Sequence, residues 1–239
     1  METRDPSQIK QQLVEMESFF TGDFTIRKKC TPIGEQEGGL GAEIESDSLE
    51  QVAAEVNVCR KCEIGITRTN AVPGEGHPKA RLVFVGEAPG ADEDAQGRPF
   101  VGRAGQLLTR MVESMGLKRE EVYIGNTLKC RPPGNRDPKT EEIENCNPFL
   151  RRQLALLEPE VIVALGRPAA QTLLETTRPI GQLRGQFHEY YYSDSKPPAK
   201  VMPTYHPAYL LRNYTKEARG KVWDDLQKVM KELGLPLKG

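Results

Sequence analysis

The sequence lacks the features that would assign it to a membrane, secreted or strongly charged class. No apolar run approaches the roughly 20 residues that span a bilayer, and the N-terminal residues do not join a basic start to an apolar core. The formal net charge is only −1 at pH 7, so any contact with nucleic acid must come from a local basic patch. These absences predict a soluble, cytoplasmic protein without a membrane partner.

Cysteine is also scarce, with 5 in 239 residues, which is too few and too uneven for a disulfide scaffold. Cys59 and Cys62 form a C-x2-C pair, and Cys130 and Cys146 follow singly. Four thiolates can hold tetrahedral zinc or an iron-sulfur cluster. Spacing leaves both open, and it also allows the two single cysteines to be ordinary buried thiols. We expect no metal-binding role for Cys30.

The chain is predicted to consist of two parts. Residues 1–45 contain the amphipathic stretch QIKQQLVEMESFF and the segment GEQEGGLGAE, which favour an N-terminal extension with a flexible linker. Residues 46–239 are predicted to form the folded domain. It opens with SDSLEQVAAEVNVC, where a capping residue, a glutamate three residues on and helically spaced Leu49, Val52 and Val56 indicate a helix before Cys59.

Four short apolar or β-branched runs, RLVFVGEA, VYIGNTL, VIVALG and KVMPTY, alternate with helical patterns such as AGQLLTRMVESMGL and residues 140–157. This alternation predicts an α/β fold with three layers, in which helices cover both faces of a central four-stranded, mainly parallel sheet. Ligands of such sheets bind beyond the carboxyl ends of the strands. The loops that follow the four runs are GEAPGADED, KCRPPGNR, GRPAA and YHPAYLLRN, so we expect the site there.

Several of these loops also carry a family resemblance. The stretches TRTNAVPGEG, VGEAPGADEDAQGRPFVGRAGQLL, NTLKCRPPGNRDP and HPAYLLRN, in this order with these cysteines, resemble the family 4 uracil-DNA glycosylases from about Ser46 to the C-terminus. The resemblance implies a DNA-repair hydrolase that flips uracil out of DNA and cleaves its N-glycosidic bond, leaving an abasic site. It also implies a three-layer α/β/α fold and a 4Fe-4S cluster, with four ligands: Cys59, Cys62, Cys130 and Cys146.

The resemblance also assigns a base pocket. It implies that Phe100 stacks on the uracil, that Asn126 reads the N3-H and O4 edge, and that the backbone at Glu87 and Ala88 lines the pocket. An asparagine amide has a donor and an acceptor on one group, as that edge requires. Without the resemblance, Phe100 is interpreted as a core aromatic residue and Asn126 as a strand-end cap.

Two further residues are catalytic candidates. The resemblance places His206, in HPAYLLR, at uracil O2, where a donor would stabilise the negative charge that the leaving base gathers. A histidine beside proline is otherwise read as a surface or core residue. The first loop has Ala88 where better-known uracil glycosylases carry a water-orienting aspartate, so Glu93 becomes the leading candidate to hold the water or the sugar cation. The alternative for Glu93 is a helix cap.

DNA contacts are predicted on two loops. Phosphates would be held by basic side chains, and Leu210, four residues after the catalytic histidine, would fill the space left by the flipped base. Its alternative is packing at a helix start. The predicted basic contacts are Lys129, Arg131, Arg136 and Arg212.

Two rival classes remain open at this point. A nucleotide-binding or redox protein would use the cluster to carry electrons, and it would need a nearby electron partner and no base pocket. A covalent trap for uracil-containing DNA would need a loop histidine, and KCRPPGNRDPKT contains none, which disfavours that class. We therefore expect a monomer that binds uracil-containing DNA, single- or double-stranded, and in which Cys130 anchors the basic loop to the cluster.

Overall fold

The computed structural model describes residues 47–192 and 196–237. In this part of the chain, six strands form one sheet in the order β1-β3-β2-β4-β6-β5. The four inner strands are parallel, and each edge strand pairs antiparallel with its neighbour. The strands are β1 Glu75–Gly76, β2 Leu82–Gly86, β3 Tyr123–Asn126, β4 Val161–Leu165, β5 His188–Tyr190 and β6 Ala199–Thr204.

The α/β fold and its mainly parallel sheet are confirmed, while the strand number is six instead of four. The four predicted apolar runs are the four inner strands, and every residue of β2, β3 and β4 is buried. The two additional strands contain only 2 and 3 residues and include exposed positions. Such short edge strands carry no run of apolar residues that a sequence pattern could detect.

Helices connect the strands. The first one, over Leu49–Val58, confirms the predicted helix, and the Ser48 side chain caps it by accepting a hydrogen bond from the Gln51 N–H at 3.2 Å. The helices in the described residues are α1 Leu49–Val58, α2 Ile64–Thr67, α3 Ala91–Gln96, α4 Arg103–Ser114, α5 Thr140–Leu157, α6 Arg167–Leu173, α7 Ile180–Leu183, α8 Pro207–Arg212 and α9 Lys216–Glu232, with 3-10 turns at Arg119–Glu121 and Pro133–Asn135.

The helices form a layer on each face of the sheet, as the alternation of strand side chains requires. On one face, Leu82 and Phe84 of β2 pack with apolar residues of α4 and α9. On the other face, Val83 and Val85 pack with residues of α5, α6 and α7. A third core lies under α1 and contains two of the cysteines: its members are Val52, Val56, Ile64, Ala71, Leu128, Cys130, Cys146 and Phe149.

Some predictions concern residues outside the described ranges. The extension and linker at 1–45 and Cys30 all lie there, as does Ser46. Within the described ranges, no helix has the length and apolarity needed to cross a bilayer.

Candidate active site and cysteine centre

A cavity of about 790 Å³ lies at the carboxyl ends of the inner strands. The loops after β2, β3, β4 and β6 all contribute to it, which is the position predicted for a ligand site in a parallel sheet. Eight residues proposed from the sequence line it together: Glu87, Ala88, Glu93, Phe100, Asn126, Arg136, His206 and Arg212.

Asn126 ends strand β3 at the wall of this cavity, and only 1% of its surface is exposed. Within the described residues, its Oδ1 is the one buried side-chain nitrogen or oxygen atom without a hydrogen-bond partner. An unpaired buried polar atom costs about 1 to 3 kcal/mol, so its persistence at a cavity wall points to a ligand that satisfies it.

Phe100 faces the same space and has a strained backbone. Its φ angle is +52°, which is uncommon for a bulky residue and is typical of functional sites. The residue is 7% exposed, and the centroid of its ring lies 5.6 Å from that of the His206 ring. Gly86 underlies both Phe100 and Asn126: a Cβ there would lie 2.6 Å from Phe100 Cζ and still closer to Asn126 Oδ1.

His206 caps the short helix α8, and this contact fixes its tautomer. The Ala208 N–H donates to His206 Nδ1 at 3.0 Å, so Nδ1 is the unprotonated nitrogen and Nε2 carries the hydrogen. Burial, followed by the positive charge of Arg212, lowers the pKa of His206 to about 4. The side chain is therefore a neutral imidazole at pH 7 with one N–H free to donate.

Glu93 lines the cavity, yet its carboxylate is engaged in backbone contacts. Oε1 accepts hydrogen bonds from the N–H groups of Val101 and Gly102, both at 2.9 Å, and Oε2 accepts one from Gly90 at 3.1 Å. These bonds join the loop after β2 to the loop that carries Phe100. The geometry corresponds to the capping alternative.

Glu87 and Ala88 lie in the loop after β2, which forms one wall of the cavity. Burial, and then the charge of Asp137, raises the pKa of Glu87, while Arg167 acts in the opposite direction. The Glu87 carbonyl accepts from Thr127 Oγ1 at 2.7 Å, which ties this loop to the end of β3. Ala88 also packs against the core that contains the cysteines.

Only some of the predicted basic residues line the cavity. Arg136 and Arg212 line the cavity, whereas Arg131 does not and instead donates through Nε to Asn135 Oδ1 at 2.7 Å. Arg136 also pairs with Glu142 at 2.6 Å. Arg167, in the GRPAA segment after β4, is exposed and also lines the cavity. It was not predicted from the sequence, although its position just after a strand end was a signal for it.

Two predicted DNA contacts disagree with the structure. Lys129 is 1% exposed and its pKa is lowered by burial to about 8, so it cannot reach a phosphate on the surface. Leu210 is 3% exposed and packs in the core formed with α4 and α9, because it lies on the inner side of α8. The next residue, Leu211, is the exposed leucine of this helix, at 39%.

All four predicted cysteine ligands line a second, small cavity, even though three separate chain segments contribute them. None forms a disulfide. Arg68 Nη1 donates to Cys130 Sγ at 2.9 Å. Burial raises the pKa of Cys146 to about 11 and also raises that of Cys130, so a cation would be needed to stabilise the thiolates. In the described residues, no three His, Cys, Asp or Glu side chains come close enough to hold a single metal ion.

Comparison with known proteins decides the family. The profile of the uracil DNA glycosylase superfamily matches residues 73–227. A type-4 uracil-DNA glycosylase of Sulfurisphaera tokodaii is 46% identical over 197 residues, covering 80% of this chain and 87% of that protein. One from Archaeoglobus fulgidus is 50% identical over 188 residues, covering 77% and 92% respectively.

The chain belongs to the type-4 uracil-DNA glycosylases. A further relative of this type, from Thermotoga maritima, is 45% identical over 181 residues, covering 75% of this chain and 92% of the relative. Membership of this glycosylase family agrees with the three-layer fold and with a cavity at the carboxyl ends of the strands.

Proposed function

We propose that this chain excises uracil from DNA by hydrolysing the N-glycosidic bond and leaving an abasic site. The relatives named above are uracil-DNA glycosylases, and the superfamily profile covers most of the folded domain, predicted at 46–239. The observation that carries the assignment of roles is the unpaired, buried Asn126 Oδ1 at the wall of the cavity shared with Phe100 and His206.

Base recognition is the first proposed step. A nucleotide flipped from the duplex loses a few kcal/mol of stacking and pairing, which contacts in the cavity must offset. The Phe100 ring would stack on the base, Asn126 Oδ1 would accept from N3-H, and its amide nitrogen would donate to O4. The backbone at Glu87 and Ala88 would enclose the base.

The tautomer of His206 suits this residue to assist bond cleavage. As the C1′–N1 bond breaks, its electron pair goes to uracil and the sugar becomes cationic. The Nε2–H of His206 would donate to uracil O2 and stabilise this negative charge without transferring a proton. Water then adds to C1′ and releases a proton. A neutral imidazole, as its lowered pKa provides, is well suited to this donor role.

The role that we propose for Glu93 is positional. Both of its oxygens accept backbone hydrogen bonds, so we infer that it acts by holding the Phe100 loop and not by activating water. This revises the expectation that its carboxylate orients the water or the sugar cation.

DNA contact is proposed at the rim of the cavity. Arg136, Arg167 and Arg212 line it and would contact phosphates on either side of the flipped nucleotide. Arg131 lies on the same loop as Arg136 and would extend this surface. Because Leu210 is buried, we propose that Leu211 is the side chain that enters the duplex.

A 4Fe-4S cluster is proposed for the cysteine centre, with Cys59, Cys62, Cys130 and Cys146 as ligands. All four thiols line one cavity, and four thiolates can hold either tetrahedral zinc or an iron-sulfur cluster. The resemblance to the family 4 uracil-DNA glycosylases is what favours the cluster. When bound, the cluster would supply a crosslink between chain segments.

The remaining attributes are also proposals. We infer a cytoplasmic location, because free thiols of this kind are typical of a reducing compartment, and we propose that the protein acts as a monomer. Residues 1–45 would be an extension outside the catalytic domain.

The deciding experiment is incubation with a uracil-containing oligonucleotide, followed by alkaline cleavage at abasic sites. We expect cleavage by the parent and a loss of at least about tenfold for Asn126→Ala, from the hydrogen bonds removed. His206→Ala should also be slow, whereas His77→Ala, which alters an exposed histidine outside the cavity, should match the parent. A stable protein–DNA band on a denaturing gel would instead favour a covalent trap.

A further inference from the structure

Lys129 is one of the largest fully buried side chains among the described residues. It stands between Asn126, proposed to read the base, and Cys130, proposed to bind the cluster. Burying a charged side chain is costly unless hydrogen bonds and opposite charge compensate it. The position of this lysine therefore requires an explanation that the catalytic proposal does not provide.

The ammonium group of Lys129 contacts the base-reading residue directly. Its Nζ donates to the backbone carbonyl of Asn126 at 2.8 Å and to Gln153 Oε1 at 2.7 Å. Gln153 is buried as well, and its amide donates to the Pro73 carbonyl at 2.9 Å and to the Tyr123 hydroxyl at 3.1 Å. The lysine is thus held in one orientation by a buried network.

The same residue also contacts the cysteine centre. Its backbone N–H donates to Cys146 Sγ at 3.2 Å, and the following residue is Cys130. Across residues 47–192 and 196–237, no carboxylate forms an ion pair with the Lys129 ammonium. Lys129 lines the same small cavity as the four cysteines, so their thiolates are the groups that can carry compensating negative charge.

We propose that Lys129 is a positioning residue that couples the cysteine centre to base recognition. Its positive charge is balanced by the thiolates, and its ammonium fixes the Asn126 carbonyl and thereby the direction of the Asn126 amide. This inference rests on the proposed role of Asn126. It predicts that the lysine affects uracil binding only through Asn126, and that it also affects the electrostatics of the cluster.

A double-mutant cycle tests the first half. The probe is an oligonucleotide with one 2′-fluoro-2′-deoxyuridine, which resists cleavage, compared with the same strand carrying thymidine; the ratio of the two Kd values gives the uracil preference. Lys129→Met removes the charge with little change in length and should lower this preference by about tenfold, as for a lost hydrogen bond to a charged donor. In the Asn126→Ala background, it should change the preference by less than about twofold.

The reduction potential of the iron-loaded protein tests the second half. Loss of a buried positive charge beside the cluster disfavours the added electron, so Lys129→Met should shift the potential to a more negative value. The control is Lys79→Met, which removes an exposed lysine that lines neither the cysteine cavity nor the base cavity. Solvent screens that charge, so its potential and its uracil preference should stay at the parent values.

If Lys129→Met does not fold with iron, Gln153→Leu tests the uracil preference, because it removes one acceptor of the ammonium and keeps the charge. Lys129→Gln, whose side chain is polar but uncharged, then tests the potential. The coupling would be overturned if the losses of uracil preference caused by Lys129→Met and Asn126→Ala simply add, or if the reduction potential of Lys129→Met equals that of Lys79→Met. An Asn126→Ala protein with the parent's uracil preference would instead overturn the proposed role of Asn126, which distinguishes the two failures.

Discussion

At the scale of single residues, the base pocket depends on close approaches that only certain side chains permit. Gly86 lies against both Asn126 and Phe100, and the backbone of Phe100 is held in a left-handed conformation. The sequence indicated the identity of the pocket residues through the family resemblance. It could not indicate the unpaired Oδ1 or the φ of Phe100, since both arise from packing between distant segments.

The substitution Gly86→Ala should therefore weaken base binding more strongly than it lowers the free energy of unfolding. The added methyl group would displace the Phe100 ring and the Asn126 amide, and displacement by about 1 Å can cost about 100-fold in rate. Single-turnover excision measures this. The control is Gly220→Ala in α9, where a Cβ meets no atom within 4 Å; it should leave excision unchanged and raise the unfolding free energy by about 0.5 to 1 kcal/mol.

His206 provides a second test, through the pH dependence of stability. Its folded-state pKa of about 4 lies below the ordinary value of 6.5, so between these values the unfolded chain binds the additional proton. Stability should fall as the pH decreases from about 6.5 to about 4, by up to about 3 kcal/mol from this residue. Denaturant unfolding of His206→Asn should lack this component. His77→Asn should keep it, and equal slopes for the two variants would contradict the shifted pKa.

At the scale of elements, the alternation of strands and helices was predictable because the inner strands are short, continuous and apolar. The edge strands were not, since Glu75–Gly76 and His188–Tyr190 have no apolar run. The sequence also could not predict which side chains point into the core and which point to the solvent. In the basic loop Lys129 turns inward, and in α8 Leu210 faces the core while Leu211 faces outward.

The loop held by Glu93 gives a prediction at this scale. In Glu93→Gln, one carboxylate oxygen becomes an NH2 group that faces a backbone N–H, which should cost about 1 to 3 kcal/mol of stability. Uracil binding should weaken in parallel as the Phe100 loop loosens. Thermal unfolding and excision kinetics check this, with exposed Glu113→Gln as the control. Unchanged stability with a slower chemical step would restore the water-positioning role.

The basic rim of the cavity gives another element-scale prediction. Arg136→Ala and Arg212→Ala should weaken binding to DNA of any sequence and reduce the dependence of log Kd on log salt, by about one counterion for each phosphate that the variant no longer neutralises. Arg131→Ala should have a smaller effect, because its guanidinium is bound to Asn135 and lies outside the cavity. Fluorescence anisotropy at several salt concentrations measures these slopes.

Arg151→Ala is the control for this series. Arg151 is exposed on α5 and pairs with Glu175, away from the residues that line the cavity. It should retain the parent's salt dependence. A slope for Arg136→Ala and Arg212→Ala equal to that of Arg151→Ala would remove this rim from the DNA interface.

At the scale of the whole molecule, the cysteine centre joins segments that are distant in sequence. Cys59 and Cys62 follow α1, Cys130 follows β3, and Cys146 lies within α5. Since Asn126 ends β3, the strand that leads into Cys130, a crosslink there would restrain the base pocket as well as the basic loop. The order of the cysteines in the sequence suggested a shared site, but the fold was needed to bring them into one cavity.

The metal prediction belongs to this scale. Purified protein should be yellow-brown with broad absorption near about 400 nm from the cluster, and Cys130→Ser should lose iron, thermal stability and DNA binding together. Metal binding is coupled to folding in such centres, so a chelator that removes iron should lower the Tm of the parent in the same direction. Cys30→Ser, which changes a cysteine outside the proposed ligand set, should keep colour, Tm and binding. Stoichiometric zinc without the absorption band would overturn the cluster assignment, because four thiolates can bind either metal and only the metal content separates them.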